Sequence, residues 1–160
     1  MRFVAAALLL AGTACGGALA DLRQPALTAA PTATAAQVSA IALRADELRV
    51  AVAGARAQEA IAGTFGGPAA EELRRDALRH QQLHEHLETQ VDARAIVHVS
   101  TAVAAPTAVV QTSGRQRLVA GATASGWDSY VDQWLYTLRW AGGWRVWEAV
   151  DLPPGEWWPA

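Results

Sequence analysis

The sequence predicts an α+β domain in which two N-terminal helices pack on a curved four-stranded antiparallel sheet. Three observations carry this. Over residues 36–89 apolar residues recur at steps of three and four, the helical period. From Ala93 onward β-branched residues dominate short runs separated by turn residues. Five of the seven Trp residues then fall between Trp127 and Trp147, around an Ala141-Gly142-Gly143 reversal that reads as a hairpin.

The first helix is expected over residues 36–62. Val38, Ile41, Ala45, Leu48, Val52 and Ala55 form its buried face, and Arg44, Asp46, Glu47, Arg49 and Arg56 are expected in solvent. Gly66-Gly67 reverses the chain, and Pro68 suits the first turn of a second helix reaching to about Thr89. Leu73, Ala77, His80, Leu83, His84 and Leu87 share one arc of that helix. Strands are expected at 95–101, at 107–112 with a continuation over 115–120 after a kink at Gly114, at 127–140 and at 144–150.

Two hairpin registers are possible. A two-residue Gly142-Gly143 turn pairs Trp140 with Arg145, whereas a three-residue loop with Gly143 left-handed pairs Trp140 with Trp144 and Leu138 with Val146. The second puts Trp134, Tyr136, Leu138, Trp140, Trp144, Val146 and Val150 on one face, interrupted by Glu148, and is preferred for that reason. It makes Trp140 a core anchor whose loss should be strongly destabilising.

Ahead of this domain, residues 1–20 read as an export signal. Arg2 is followed by the apolar run FVAAALLLA, which is too short to cross a bilayer of about 20 residues. Cleavage after Ala20 would use the small-residue site Ala18-Leu19-Ala20. Cleavage before Cys15 would leave the chain's only Cys as the first residue. Residues 21–35, rich in Ala, Thr and Pro, read as a flexible linker, 36–152 as the domain, and 153–160 as a Pro/Trp-rich tail. Trp157 and Trp158 in that tail are expected to fold back onto the sheet, with exposure to a partner or membrane as the alternative.

Leu10-Ala11-Gly12-Thr13-Ala14-Cys15-Gly16-Gly17 resembles the lipobox of bacterial lipoproteins, departing from it at Gly12. The resemblance implies lipid attachment at Cys15 and a place on the outer face of the cytoplasmic membrane; without it the chain would be secreted. Two motif groups resemble the IMS domain family of plastid division proteins and cyanobacterial relatives, a branch of the nuclear transport factor 2-like cone fold. They are Gly66-Gly67-Pro68-Ala69-Ala70-Glu71-Glu72-Leu73-Arg74, and Ser125-Gly126-Trp127-Asp128-Ser129-Tyr130 with Tyr136–Trp140 and Gly143–Val146. Mce-associated proteins share a similar plan. These resemblances imply a binding or assembly module, although the wider fold includes SnoaL-like enzymes.

The candidate chemistry is sparse. His80 and His84 stand i, i+4 with Glu88 extending the row, but one helix offers too few ligands for a zinc site, so no metal and no cofactor is assigned. Asp128 and Asp132 share a strand face with Trp134 and Tyr136. A pocket between the second helix and the sheet would be lined by His80, His84, Asp132, Trp134 and Tyr136. An enzyme needs that cavity open with His80, His84 or Asp132 aimed into it, and the Trp-rich face argues for a filled interior. No Ser nucleophile motif or phosphate loop is present. The formal net charge of -2 over 160 residues argues against nucleic acid. The leading expectation is a non-enzymatic envelope lipoprotein that meets a protein partner, with no catalytic residues. The alternative is a small-molecule-binding or SnoaL-like catalytic cone.

Overall fold

Helix α1 (Ala35–Val52) begins at a reciprocal cap. The Gln37 backbone N–H donates to Thr34 Oγ1 at 3.2 Å, and the Thr34 N–H donates to Gln37 Oε1 at 3.0 Å. This satisfies N-terminal donors that would otherwise be orphaned. The protein is described here from a computed structural model over residues 30–52 and 58–153. The export signal, most of the linker, Ala55 and Arg56, and the tail from Pro154 lie outside the described residues.

The helix expected over 36–62 is represented by α1 and by α2 (Gln58–Thr64), with 53–57 between them outside the described residues. Val38, Ala42, Ala45, Leu48 and Val52 of α1 are buried. So is Asp46, contrary to the expectation that it is solvated. Ile61 and Phe65 extend the core, and Phe65 bridges Val146 in parallel at the sheet edge.

Helix α3 (Gly67–Leu83) starts where two constraints coincide. Gly67 has φ +48°, and a Cβ there would lie 2.4 Å from the Trp147 indole. Only Gly meets both conditions. The helix ends at Leu83, six residues earlier than expected. His84 takes the left-handed cap conformation (φ 51°, ψ 37°), and its N–H bonds back to Gln81 and His80 carbonyls. The chain then enters β1 (Glu85–Ser100), so the sheet begins ten residues before Ala95. Residues 85–91 pair in register with 120–114, and this long-range pairing overrides the local helical period.

β2 (Thr107–Ala120) runs on through Gly114 as a single paired strand. A Cβ at Gly114 would lie 2.1 Å from the Gln90 carbonyl oxygen, so Gly there admits the close approach of β1. A two-residue strand β3 (Thr123–Ala124) pairs with β2, making the sheet five-stranded rather than four. β4 (Asp128–Trp140) and β5 (Trp144–Leu152) complete the order β1-β2-β4-β5, all antiparallel. Register shifts at Asp92 and Val97 interrupt β1.

The hairpin takes the three-residue register, with Trp140 opposite Trp144 and Leu138 opposite Val146. Its left-handed residue is Gly142 (φ 71°), not Gly143. A bulge at Trp147 then sets Thr137 against Glu148 and Tyr136 against Ala149. One extra residue reverses which side chains face the core. Ala149 therefore faces inward, while Val150 and Glu148 face outward. Trp140 is 37% exposed and meets Trp144 edge-on at 5.7 Å. It is not the core anchor expected; Tyr136, Leu138 and Val146, all fully buried, hold that place.

The helices pack on one face of the sheet. The cross-strand rows there are Val99–Ala108–Tyr136–Ala149, Ile96–Val110–Trp134–Asp151 and Arg94–Thr112–Asp132. On the opposite face the central row is His98–Val109–Leu135–Val150.

Candidate functional site

Asp46 places a carboxylate with no solvent exposure at the centre of the helix–sheet interface. The strands surround it with donors. Thr112 Oγ1 donates to Oδ2 at 2.7 Å and Arg94 Nε at 2.6 Å, while Tyr136 Oη donates to Oδ1 at 2.9 Å. Arg49, one turn further along α1, adds Nη2 to Oδ1 at 3.2 Å. Its Nε donates to Tyr136 Oη at 3.3 Å.

Burial alone would raise the Asp46 pKa. The Thr112 hydrogen bond, the Arg49 charge and the bonds from Arg94 and Tyr136 outweigh it and hold the carboxyl below its ordinary value. Burial, reinforced by the Asp46 charge, pushes the Tyr136 phenol far up, so it stays a neutral donor. With four donors on two oxygens, Asp46 has no capacity left to take a proton from a substrate. The network is a structural lock between α1 and three strand positions.

Beside it lies an open cleft of about 190 Å³ between α3 and the sheet. Val52, Phe65, Ala69, Leu73 and Ala149 form apolar walls, and Arg49, Glu72, Asp76, His80 and Trp134 supply the polar ones. The Arg49 guanidinium stacks over the Trp134 ring at 4.1 Å. Trp134 Nε1 and His80 Nδ1 are buried without hydrogen-bond partners, and Glu85 stands 3.8 Å from the latter. The cleft thus has apolar walls with the Trp134 indole among them and the carboxylates of Glu72 and Asp76 on its α3 side.

Of the residues expected in a pocket, His80 and Trp134 line this cleft. Tyr136 is sealed beneath it in the Asp46 network. Asp132 lies 4.0 Å from Arg49 and is not among the lining residues. Burial raises its pKa against the lowering effect of Arg49. His84 is exposed at the α3 cap, which breaks the helical row that was to continue to Glu88. Glu88 instead pairs with Arg117 across β1 and β2. Among the described residues no three His, Cys, Asp or Glu side chains gather as a metal site. Cys15 lies outside the described residues.

Asp46, Arg49, Arg94 and Thr112 went unforeseen as one group. A signal for two of them exists: at about 100° per residue, Asp46 and Arg49 fall on the helical arc of Val38, Ala42 and Ala45. Arg94 and Thr112 come to Asp46 only through tertiary pairing.

These features define an α+β domain with an antiparallel sheet and a few helices. A solved structure with the same fold is the intermembrane space region of the chloroplast protein ARC6, similar at a TM-score of 0.65 over 76% of this chain and 98% of that chain, with 14% sequence identity. No family model matches the chain, and no curated protein matches it.

Proposed function

We propose that the protein is a non-enzymatic module exported across the cytoplasmic membrane, held at its outer face by a lipid on Cys15, and presenting the cone domain to a protein partner. The observation that carries the non-enzymatic reading is the state of the carboxylates. Asp46 is consumed by four donors, and Asp132 faces Arg49 rather than a histidine. Asp46 and Asp132 therefore assemble no acid–base pair in the cleft, while His80, Glu72 and Asp76, which do line it, belong to the second reading below.

The size of the cleft supports the same reading. Pockets for metabolites run to about 300–1,000 Å³, whereas this one suits a side chain or two of a partner. An apolar side chain would fill the floor, beside the Glu72 and Asp76 carboxylates of the wall. The fold likeness to an intermembrane-space region supports a place outside the cytoplasm.

Two measurements test the proposal. Cys15→Ala should move the protein from the membrane fraction to the soluble one; unchanged partitioning leaves only a secreted form. A photo-crosslinking residue at Asp76, on the cleft wall, should give a discrete protein adduct in the native envelope that the same residue at Gln116 does not. The second reading, a small-molecule-binding cone, rests on the unpartnered Trp134 Nε1 and His80 Nδ1. It would be favoured if position 76 gave no adduct and a small ligand raised the melting temperature of wild type but not of His80→Ala.

A further inference from the structure

The face of the sheet turned away from the helices carries an apolar row that the fold described so far does not use. Val109 and Leu135 are adjacent in it, on β2 and β4, and are only 3% and 7% exposed. They are as buried as the core, yet they lie outside the helix-side cluster, because their neighbours Val110 and Tyr136 are the residues that turn inward. The Gln111–Gln133 amide pair, bonded at 2.8 Å, closes the row on one side. At its rim Val131 is 55% and Val150 40% exposed. The accessible apolar surface of this face is therefore the pair Val131 and Val150, with the shielded Val109 and Leu135 beneath and between.

We propose that residues 154–160 of this same chain occupy that surface, laying Trp157 or Trp158 against Val131 or Val150 along the Val109–Leu135 row. Three observations favour this occupant. The segment leaves the sheet from β5, whose Val150 belongs to the row and whose Leu152 pairs with Gln133 beside it. β5 ends at Leu152, and the sequence Pro-Pro-Gly that follows is of a composition that favours a turn. The reach suffices: five residues from Leu152 to Trp157 span up to about 17 Å, and with strands about 4.8 Å apart Leu135 and Val109 are both nearer than that. Two Trp beside an apolar surface lose solvent-exposed area by docking there, each burying up to about 250 Å². A tail so placed would cover the sheet opposite the cleft and leave the cleft free for a partner.

The test uses the full chain labelled with 5-fluorotryptophan and followed by fluorine NMR, with Trp157 and Trp158 assigned from single Trp→Phe variants. A soluble nitroxide reports exposure. At least one of the two indoles should be shielded to the level of Trp144, independent of protein concentration. Shielding should be lost in Val131→Asp/Val150→Asp, which changes only the exposed rim, and in Leu135→Ser, with circular dichroism unchanged. The proposal is overturned if both indoles broaden like free fluorotryptophan, or if shielding persists in the rim variant. It is also overturned if shielding disappears on dilution together with a dimer-to-monomer shift in sedimentation, which would assign the surface to a second copy. Shielding that requires phosphatidylethanolamine/phosphatidylglycerol vesicles would assign it to the membrane and overturn the proposal equally.

Discussion

Each face of the sheet carries an exception to the usual division between apolar interior and polar exterior. The face under the helices contains a charged network, Asp46 with Arg49, Arg94, Thr112 and Tyr136. The face away from them carries a row of three apolar side chains beginning at His98. The difference shows that polarity alone does not assign a face here; satisfaction does. A carboxylate can be buried because every acceptor site on it is filled, and it then fixes where α1 sits along the sheet. Apolar contact, which is non-directional, would permit α1 to slide by a turn.

The largest break in this comparison comes from the centre of the network. Asp46→Ala should cost about 3–5 kcal/mol, since it leaves two guanidinium groups and two hydroxyls without their common acceptor. Urea unfolding measures it. The acid limb carries a second signature. Because the Asp46 pKa is lowered in the folded state, its contribution is full above the unfolded value of about 3.9 and is lost as pH falls through the lower folded value. The wild-type stability should therefore fall more steeply below about pH 4 than that of Asp46→Asn. Equal slopes would show that the carboxylate is not charged in the fold.

A smaller effect should follow from Tyr136→Phe. It removes one donor to Asp46 and one acceptor from Arg49 while keeping the ring in place, for about 1–3 kcal/mol. The smallest belongs to the hairpin tip. Trp140→Ala should cost about 1–2 kcal/mol, because the residue is 37% exposed and its ring is only edge-on to Trp144. A loss as large as that of Asp46→Ala would restore Trp140 to the core.

That last expectation marks how far the sequence could be read. The α+β class, the hairpin loop length and the pairing of Trp140 with Trp144 follow from local period and turn chemistry. The inward turn of Ala149 does not, because a single bulge at Trp147 reverses parity and nothing in the local pattern announces it. The early end of α3 depends on His84 accepting a left-handed conformation, which its residue type permits without demanding. Of the candidate pocket, His80 and Trp134 were readable from helical and strand spacing. The Asp46 network was not, because a charged residue on an apolar arc looks like a boundary of that arc until its partners arrive from strands 48 to 90 residues away.

The two interruptions of β1 have a consequence beyond its own pairing. Among the described residues β1 is an edge of the sheet, sixteen residues long, and such an edge is a template on which another chain can add a strand. The shifts at Asp92 and Val97 divide it into short lengths whose free N–H and C=O groups do not continue in one register. A strand arriving from a neighbouring molecule would lose alignment after a few residues, and at the first break it would meet Asp92. For a protein proposed to be held by its N-terminus at high local density on a membrane, this is a built-in brake on edge-to-edge polymerisation.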